Sequence, residues 1–506
     1  APRTRLCIMS RFVNMTDKNR HYAVFTPALS GFYVHYVSKQ QHFDYVPQDR
    51  IPAKFENGIE GMNFLNAEKG YFHYGFALYS AGHAQLDIQK AMEAEGMVHN
   101  RDPNTLIIGD SGGFQISKGV WQGNWGSPEG QCSKTDEKRG KVLNWLENTA
   151  DYSMFLDIPT AGLSFLNEET GKPRCGLNNY AEFRDATIEN NKYFFKRLQG
   201  KTKFINVCQG TTYEEADDWF EKVCKPVEQY TKGWAFGGVQ KTNVNHSLRR
   251  LLMCKELGML DGDRAEWIHF LGTGRCDHGV IYTAMQDAIR NHVNPYMTIS
   301  FDCASPFIAV ANGQVYTHNV FTNKRFSYVM DKMVDDKTPA NKDEPWPWDM
   351  SPIGERLTWK DINYYNPGDL NKNGKEGATS WDSFAYALMM GHNIYQHIDA
   401  VQMANRLAAR QTTQMITWMP KEYLEFRDLV DELFSKDYNK SKKAIDAELA
   451  KHAKLFEKVS KTKHLRVGNT FNSLFEEDGG TDFSDDAFAE DTDGKLEALE
   501  QSEVEA

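Results

Sequence analysis

From Leu106 to Asp302 the chain keeps a rhythm that few folds accommodate. Short apolar runs end in polar or glycine-rich corners, and segments with helical spacing separate them. Leu106-Ile107-Ile108 runs into Gly109-Asp110-Ser111-Gly112-Gly113, and Tyr152 to Leu156 ends at Asp157. Phe204 to Cys208 ends at Gln209-Gly210, and Trp234 to Phe236 at Gly237-Gly238. Trp267 to Leu271 ends at Gly272-Thr273-Gly274, and Tyr296 to Phe301 at Asp302. Asn178–Leu198, Tyr213–Tyr230 (interrupted at Pro226), His246–Leu257 and Gly279–His292 are the helix candidates between them. Strands alternating with helices predict βαβ units and a parallel sheet. With one or two earlier strands, near Tyr22–Phe25 and Tyr71–Tyr79, the pattern fits an α/β, TIM-like (β/α)8 barrel over residues 1–334 better than an open sheet. Such barrels gather their chemistry at the C-terminal strand ends, where each polar corner falls.

Beyond about Thr317 the pattern changes. Residues 335–379, rich in Lys, Asp, Asn, Pro and Gly around Pro345-Trp346-Pro347-Trp348, read as a long irregular polar insertion. Residues 380–470 read as a helical C-terminal region, with Ser380–Thr412 strongly helical and Tyr423–Lys463 helical and charged. Residues 471–506 read as an acidic disordered tail, poor in large apolar groups. That tail governs the charge. Of the formal net −11, the stretch from Glu476 to Ala506 carries thirteen acidic residues and one lysine, −12, which leaves +1 for residues 1–475. A neutral body leaves nucleic-acid binding open, despite the acidic total. No run of about 18 apolar residues is present, so no membrane partner is expected. The eight cysteines are scattered without a C-x-x-C, which predicts reduced thiols in a cytoplasmic protein rather than a disulfide framework or zinc ribbon.

Three carboxylates, Asp110, Asp157 and Asp302, sit at strand ends. Each alone reads equally as a helix N-cap. Three on one rim, joined by Gln209 and two Gly-Gly corners, could divide into nucleophile, acid/base and recognition roles. Asp302, at the end of a β-rich run, is suited to attack an anomeric carbon and form a covalent glycosyl intermediate, which a second attack resolves. No histidine is visibly placed to activate the neighbouring Cys303, which reads as a packing residue. Phe114 could stack on a planar ring or pack in the core, while Asp157 and Gln209 could read a ring's hydrogen-bonding edge. Gly272-Thr273-Gly274-Arg275 could hold a phosphate, a weak signal without a Rossmann context.

In this order, Asp110-Ser111-Gly112-Gly113-Phe114-Gln115, Phe155-Leu156-Asp157, Val207-Cys208-Gln209-Gly210, Ala235-Phe236-Gly237-Gly238, Leu271-Gly272-Thr273-Gly274 and Phe301-Asp302-Cys303 resemble the tRNA-guanine transglycosylases. Asn312 to Thr317 and a His392-Asn393 pair in a helix extend the likeness. The resemblance implies a (β/α)8 barrel that exchanges guanine in a nucleic acid for a 7-deazaguanine. It makes Asp302 the nucleophile at C1′ and Asp110 the general acid/base. Phe114 would stack on the base, and Asp157, Gln209 and the Gly238 backbone would read its edge. Ser111, Gly112, Gly113 and Gly237 would shape the pocket, Val239 would lie where the 7-substituent is met, and Arg275 would stand near the nucleic-acid backbone.

The departures from that family matter as much. Its zinc site needs a cysteine cluster after the nucleophile, and here no cysteine follows Cys303, so only His392 matches and zinc is not expected. Together with the insertion and the charged C-terminal helices, this resembles the phage and bacterial branch that inserts 7-deazaguanines of the preQ0 type into DNA, which would protect phage DNA from restriction. The expected partners are therefore DNA, or alternatively tRNA, and a 7-deazaguanine base. Lysines at 440–443 and 458–463 could meet phosphates or simply form a solvated helix face. A divergent tRNA enzyme and a catalytically silent nucleic-acid-binding subunit are the alternatives.

Overall fold

The computed structural model describes residues 13–42, 46–238, 243–336, 342–364 and 380–461. Val239, Cys7, part of the polar insertion, the lysines beyond 461 and the acidic tail lie outside the described residues.

Eight parallel strands form the centre: β1 (Val24–Pro27), β2 (Phe76–Ser80), β3 (Leu106–Asp110), β4 (Tyr152–Met154), β5 (Lys203–Cys208), β6 (Thr231–Phe236), β7 (Trp267–Phe270) and β8 (Thr298–Cys303). Neighbours in sequence pair from β2 to β8, and β8 pairs with β1. A bridge between Ala28 and Leu78, with Leu29 N donating to Leu78 O at 2.9 Å, brings β1 back against β2. The sheet is thus a nearly closed, barrel-like ring with helices outside it. Strand side chains alternate between two faces. A small cluster of Leu78, Ile108, Met154, Ile205, Val207, Ala235 and Trp267, drawn from successive strands, fills the inside. A much larger apolar shell joins the strands to the helices.

Several of the helices start where short polar side chains satisfy their first N–H groups. Asn179 caps Tyr180–Phe195, Thr212 caps Tyr213–Trp219, Asn243 caps α1 (Val244–Glu256), and Asp382 caps α3 (Ser383–Ala409). Between the last two, α2 (Cys276–His292) covers β7 and β8. The helical spacing over Tyr213–Tyr230 is realised in three pieces. The α-helix ends at Trp219, a wider turn spans Phe220–Cys224, and a tight 3-10 stretch carries Lys225–Tyr230. Pro226 lacks the N–H that a continuous ladder requires, so the ladder loosens one turn before it.

Two features depart from the sequence reading. After β8 the chain makes an antiparallel hairpin, β9 (Gln314–Phe321) with β10 (Phe326–Lys332), where the alternating pattern had stopped being legible. The stretch 342–364 of the insertion has little regular secondary structure, yet it is packed: Trp346, Ser351 and Ile353 are buried. All three lie near α3, whose His392 stands edge-on to Trp346 at 4.9 Å. His392 Nδ1 is 2.7 Å from Ser351 Oγ, and Nε2 is 2.8 Å from Tyr316 O. Burial pushes the His392 pKa down to about 4, so the ring is neutral at physiological pH. Asn393 accepts Tyr316 N–H at 3.0 Å and donates to Pro306 O at 3.1 Å. One helix turn therefore fastens insertion, hairpin and barrel together.

Helices α4 (Lys421–Ser435), α5 (Lys442–Ala450) and α6 (Ala453–Lys461) follow, where the sequence showed one continuous charged helical stretch. Charge fixes α5 to the barrel. The buried Arg249 guanidinium on α1 meets Asp217 at 2.8 Å and Asp446 of α5 at 2.6 Å, and Arg250 meets Asp217 at 2.7 Å. Lys442 also pairs with Asp217, so this member of the basic cluster is engaged by the protein itself. Burial alone would raise the Asp217 carboxyl, but hydrogen bonds from Arg249, Lys442 and Arg250 hold it well below the usual carboxylate range. Its stabilising contribution is therefore full above the ordinary aspartate range and is lost as pH falls below it. Arg249→Ala leaves two carboxylates without their shared cation and should cost about 3 kcal/mol. Thermal or urea denaturation at pH 7 checks this, and the gap to wild type should shrink on acidification.

Candidate active site

The site forms where the chain leaves the strands. β3 delivers Asp110 and turns at once through buried Ser111 and Gly112, whose φ of +78° opens the short helix Gly113–Ser117. A Cβ on Gly113 would stand 1.8 Å from the Asp157 carbonyl oxygen, so only glycine lets this turn pass the segment after β4. Asp110 Oδ2 accepts Ser80 Oγ–H at 2.5 Å and Gly112 N–H at 3.2 Å. Burial raises the Asp110 pKa, the Ser80 hydrogen bond opposes this, and the charge of Asp302 raises it again.

Asp157, buried, accepts Gln209 Nε2–H on Oδ2 at 2.8 Å. Burial pushes its carboxyl up to about 7 against that hydrogen bond, and the charge of Asp110 adds to the rise. The Gln209 carboxamide lies against Gly237, where a Cβ would approach Nε2 to 2.8 Å, and near Gly238. Asp302 stands at the end of β8 at 6% exposure. Its Oδ1 accepts His269 Nε2–H at 2.9 Å and Gly272 N–H at 3.0 Å. The three carboxylates and Gln209 thus share one electrostatic cluster.

Phe114 and Arg275 sit on the same turns but are held by other partners. Phe114 is partly exposed, edge-on to Phe165 at 5.4 Å, with Lys118 Nζ 4.7 Å above its ring. Arg275 bonds Asp277 at 3.2 and 3.3 Å and lies 3.1 Å from His278 Nε2. Cys303 is buried with a histidine beside it that the sequence did not reveal, His397, at 3.8 Å. His397 Nε2 is 2.5 Å from Gly274 O, which can only accept, so its hydrogen goes there. Its Nδ1 takes Tyr316 OH at 3.0 Å, so the ring has no free base for the thiol. The seven described cysteines are all free thiols.

Ser80 and His269 escaped the sequence reading. Their signal was present: His269 and Ser300 are polar residues at period-two positions within otherwise apolar strands, a placement that points inward. The zinc site of the resembled family does not fit here. Both nitrogens of His392 are engaged, and among the described residues no three His, Cys, Asp or Glu side chains converge as a ligand set. Among the described residues no helix is long and apolar enough to cross a membrane. No protein-family model matches the chain, and no curated protein matches it.

The raised Asp157 carboxyl has a stability signature. An unfolded aspartate releases its proton near pH 4, whereas folded Asp157 keeps it to about 7. Between these values the folded state binds the extra proton, so stability from this group is full below the unfolded range and is lost as pH rises. Asp157→Asn should match wild type in melting temperature at acid pH and exceed it increasingly toward pH 8. A gap that stays constant with pH would contradict the assignment.

Proposed function

We propose that the chain is a guanine transglycosylase on a (β/α)8 barrel, acting on DNA and inserting a 7-deazaguanine base of the preQ0 type. The observation that carries this reading is the division of labour between Asp110 and Asp302. One carboxyl is held by a hydroxyl, with its proton affinity raised by burial and by its neighbour. The other has one oxygen tied by two N–H donors. A carboxyl whose proton affinity is raised, beside a carboxylate with one oxygen held and the other open, is the arrangement an acid and a nucleophile require.

The chemistry follows from these positions. Asp302 attacks C1′ as the C1′–N9 bond breaks, and Asp110 gives its proton to the departing guanine. The ester between Asp302 and C1′ then waits for the incoming base. Asp110, now a carboxylate, removes a proton from that base, whose nitrogen attacks C1′ and expels the Asp302 carboxylate. Asp157 and Gln209 offer an acceptor and an amide to the base edge, and Phe114 offers a ring after Lys118 moves aside. The target nucleotide must leave its stack to reach a site this enclosed, at a cost of a few kcal/mol. The DNA assignment rests on the missing zinc ligands and on the packed insertion and C-terminal helices.

The test is incubation of the full chain with labelled guanine or preQ0 base and either DNA or tRNA, followed by nucleoside analysis. Label should enter DNA, and Asp302→Ala should lower incorporation by about ten-thousandfold. Label in tRNA alone would move the assignment to tRNA, and activity unaffected by Asp302→Ala would end the proposal. Base affinity should also rise with pH through about 7, because guanine's edge donors need Asp157 ionised. Equilibrium dialysis of the free base between pH 6 and 8 measures this.

A further inference from the structure

Behind Asp302 runs a buried hydrogen-bonded chain that the exchange reaction as outlined does not use. β7 and β8 are parallel with His269 opposite Ser300, so Trp267, Ser300, His269 and Asp302 rise in alternation along the inner face toward the open strand ends. Trp267 Nε1 lies 2.7 Å from Ser300 Oγ, Ser300 Oγ 2.7 Å from His269 Nδ1, and His269 Nε2 2.9 Å from Asp302 Oδ1. Trp267, His269 and Ser300 are at most 1% exposed, so bulk water does not complete these bonds.

The direction of the chain is fixed at its lower end. An indole nitrogen can only donate, so Ser300 Oγ accepts from Trp267. Giving the single Ser300 hydrogen to a bare His269 Nδ1 leaves both groups paired. The imidazole hydrogen therefore sits on Nε2 and points at Asp302. The other tautomer would set a lone pair against a carboxylate oxygen, and a doubly protonated ring would strand the Ser300 hydrogen, both costly where nothing else can pair. With Gly272 N–H at 3.0 Å also on Oδ1, that oxygen has two donors, while no hydrogen bond among the described residues reaches Oδ2.

We propose that His269 is a positioning residue, held in its Nε2–H tautomer by Ser300 and Trp267, that selects Oδ2 of Asp302 as the attacking oxygen. The inference rests on the exchange reaction proposed above. Oδ2 forms the bond to C1′ as C1′–N9 breaks. Oδ1 becomes the ester carbonyl oxygen and keeps both donors, so the ester cannot rotate before the second base arrives. When that base attacks C1′, the C1′–Oδ2 bond breaks and the electron pair returns to a carboxylate already hydrogen-bonded for it. His269 itself neither gains nor loses a proton.

Two measurements on the full chain test this. In protein labelled with 15N-histidine, the His269 resonances, assigned by their loss in His269→Gln, should show a protonated Nε2 and a bare Nδ1. Ser300→Ala should move the Nδ1 resonance, which loses its hydrogen-bond donor, and leave the Nε2 proton in place. Wild-type signals of an Nδ1–H or doubly protonated ring would overturn the proposal whether or not the chain exchanges bases. The second measurement is single-turnover formation of the covalent adduct on a guanine-containing oligonucleotide. His269→Leu should slow it about tenfold to a hundredfold without changing oligonucleotide affinity, and His269→Gln, which keeps an N–H donor, should recover to within about fivefold of wild type. Equal rates for Leu, Gln and wild type, or equal loss in Leu and Gln variants with wild-type melting temperatures, would overturn it. Absence of adduct in wild type on both DNA and tRNA would defeat the exchange reading and with it the role of His269, and the resonances would still decide the tautomer.

Discussion

The register between β7 and β8 is the constraint on which the candidate site depends. Because Ser300 pairs with His269 and side chains alternate with period two, the polar members of both strands meet on the inner face. A slip of β8 by one residue would turn Asp302 into the helical shell and bring Phe301 inside, away from the outward Phe270. Those two rings instead pack outward in the apolar shell with Tyr282 of α2, at 3.9 and 5.3 Å. The apolar residues that hold the helix on the sheet therefore also aim the carboxylate.

Much of this could be read from the chain. The corners at Asp110, Gln209 and Asp302 fall at strand ends where the apolar runs stop, and Asp157 falls three residues beyond the end of β4, because the first polar corner after an apolar run marks the strand mouth. What escaped were partners brought together across strands. His269 lies inside an apolar run where its period-two position marks only an inward-facing side chain, and the pairing with β8 gives it Asp302 and Ser300 as neighbours. Ser80 becomes a partner of Asp110 only through the β2–β3 pairing. The same limit applies to His397 beside Cys303, contributed by a helix far along the chain. Phe114 and Arg275 show the converse: their motifs are legible, while the neighbours that engage them, Lys118, Phe165, Asp277 and His278, are set by local packing.

In the insertion after β8, composition does not show the packing, which its few apolar residues provide. Trp346 and Ile353 carry the insertion onto α3 although Lys, Asp and Asn surround them. A buried, neutral histidine with both nitrogens satisfied ties the turn at Ser351 to the backbone at Tyr316. Hydrogen bonds at one point of a helix can join segments from three parts of a chain when each partner is shielded from water. The same helix makes the charged contacts at Asp217 more consequential, since α4 to α6 follow directly from it.

The position of α3 also sets an order of assembly. The seam where β8 meets β1 is covered by this helix: Phe25 stacks on His397 at 4.3 Å, and Gln402 Nε2 donates to Met15 O at 2.7 Å. Met15 and Phe25 leave the ribosome early, and His397 and Gln402 only after the hairpin and the insertion have been synthesised. From the completion of β8 until His397 is made, all eight strands exist while their joint stays bare. A nascent chain of this kind presents an apolar seam over that stretch of its synthesis, the kind of surface that chaperones hold and aggregation exploits.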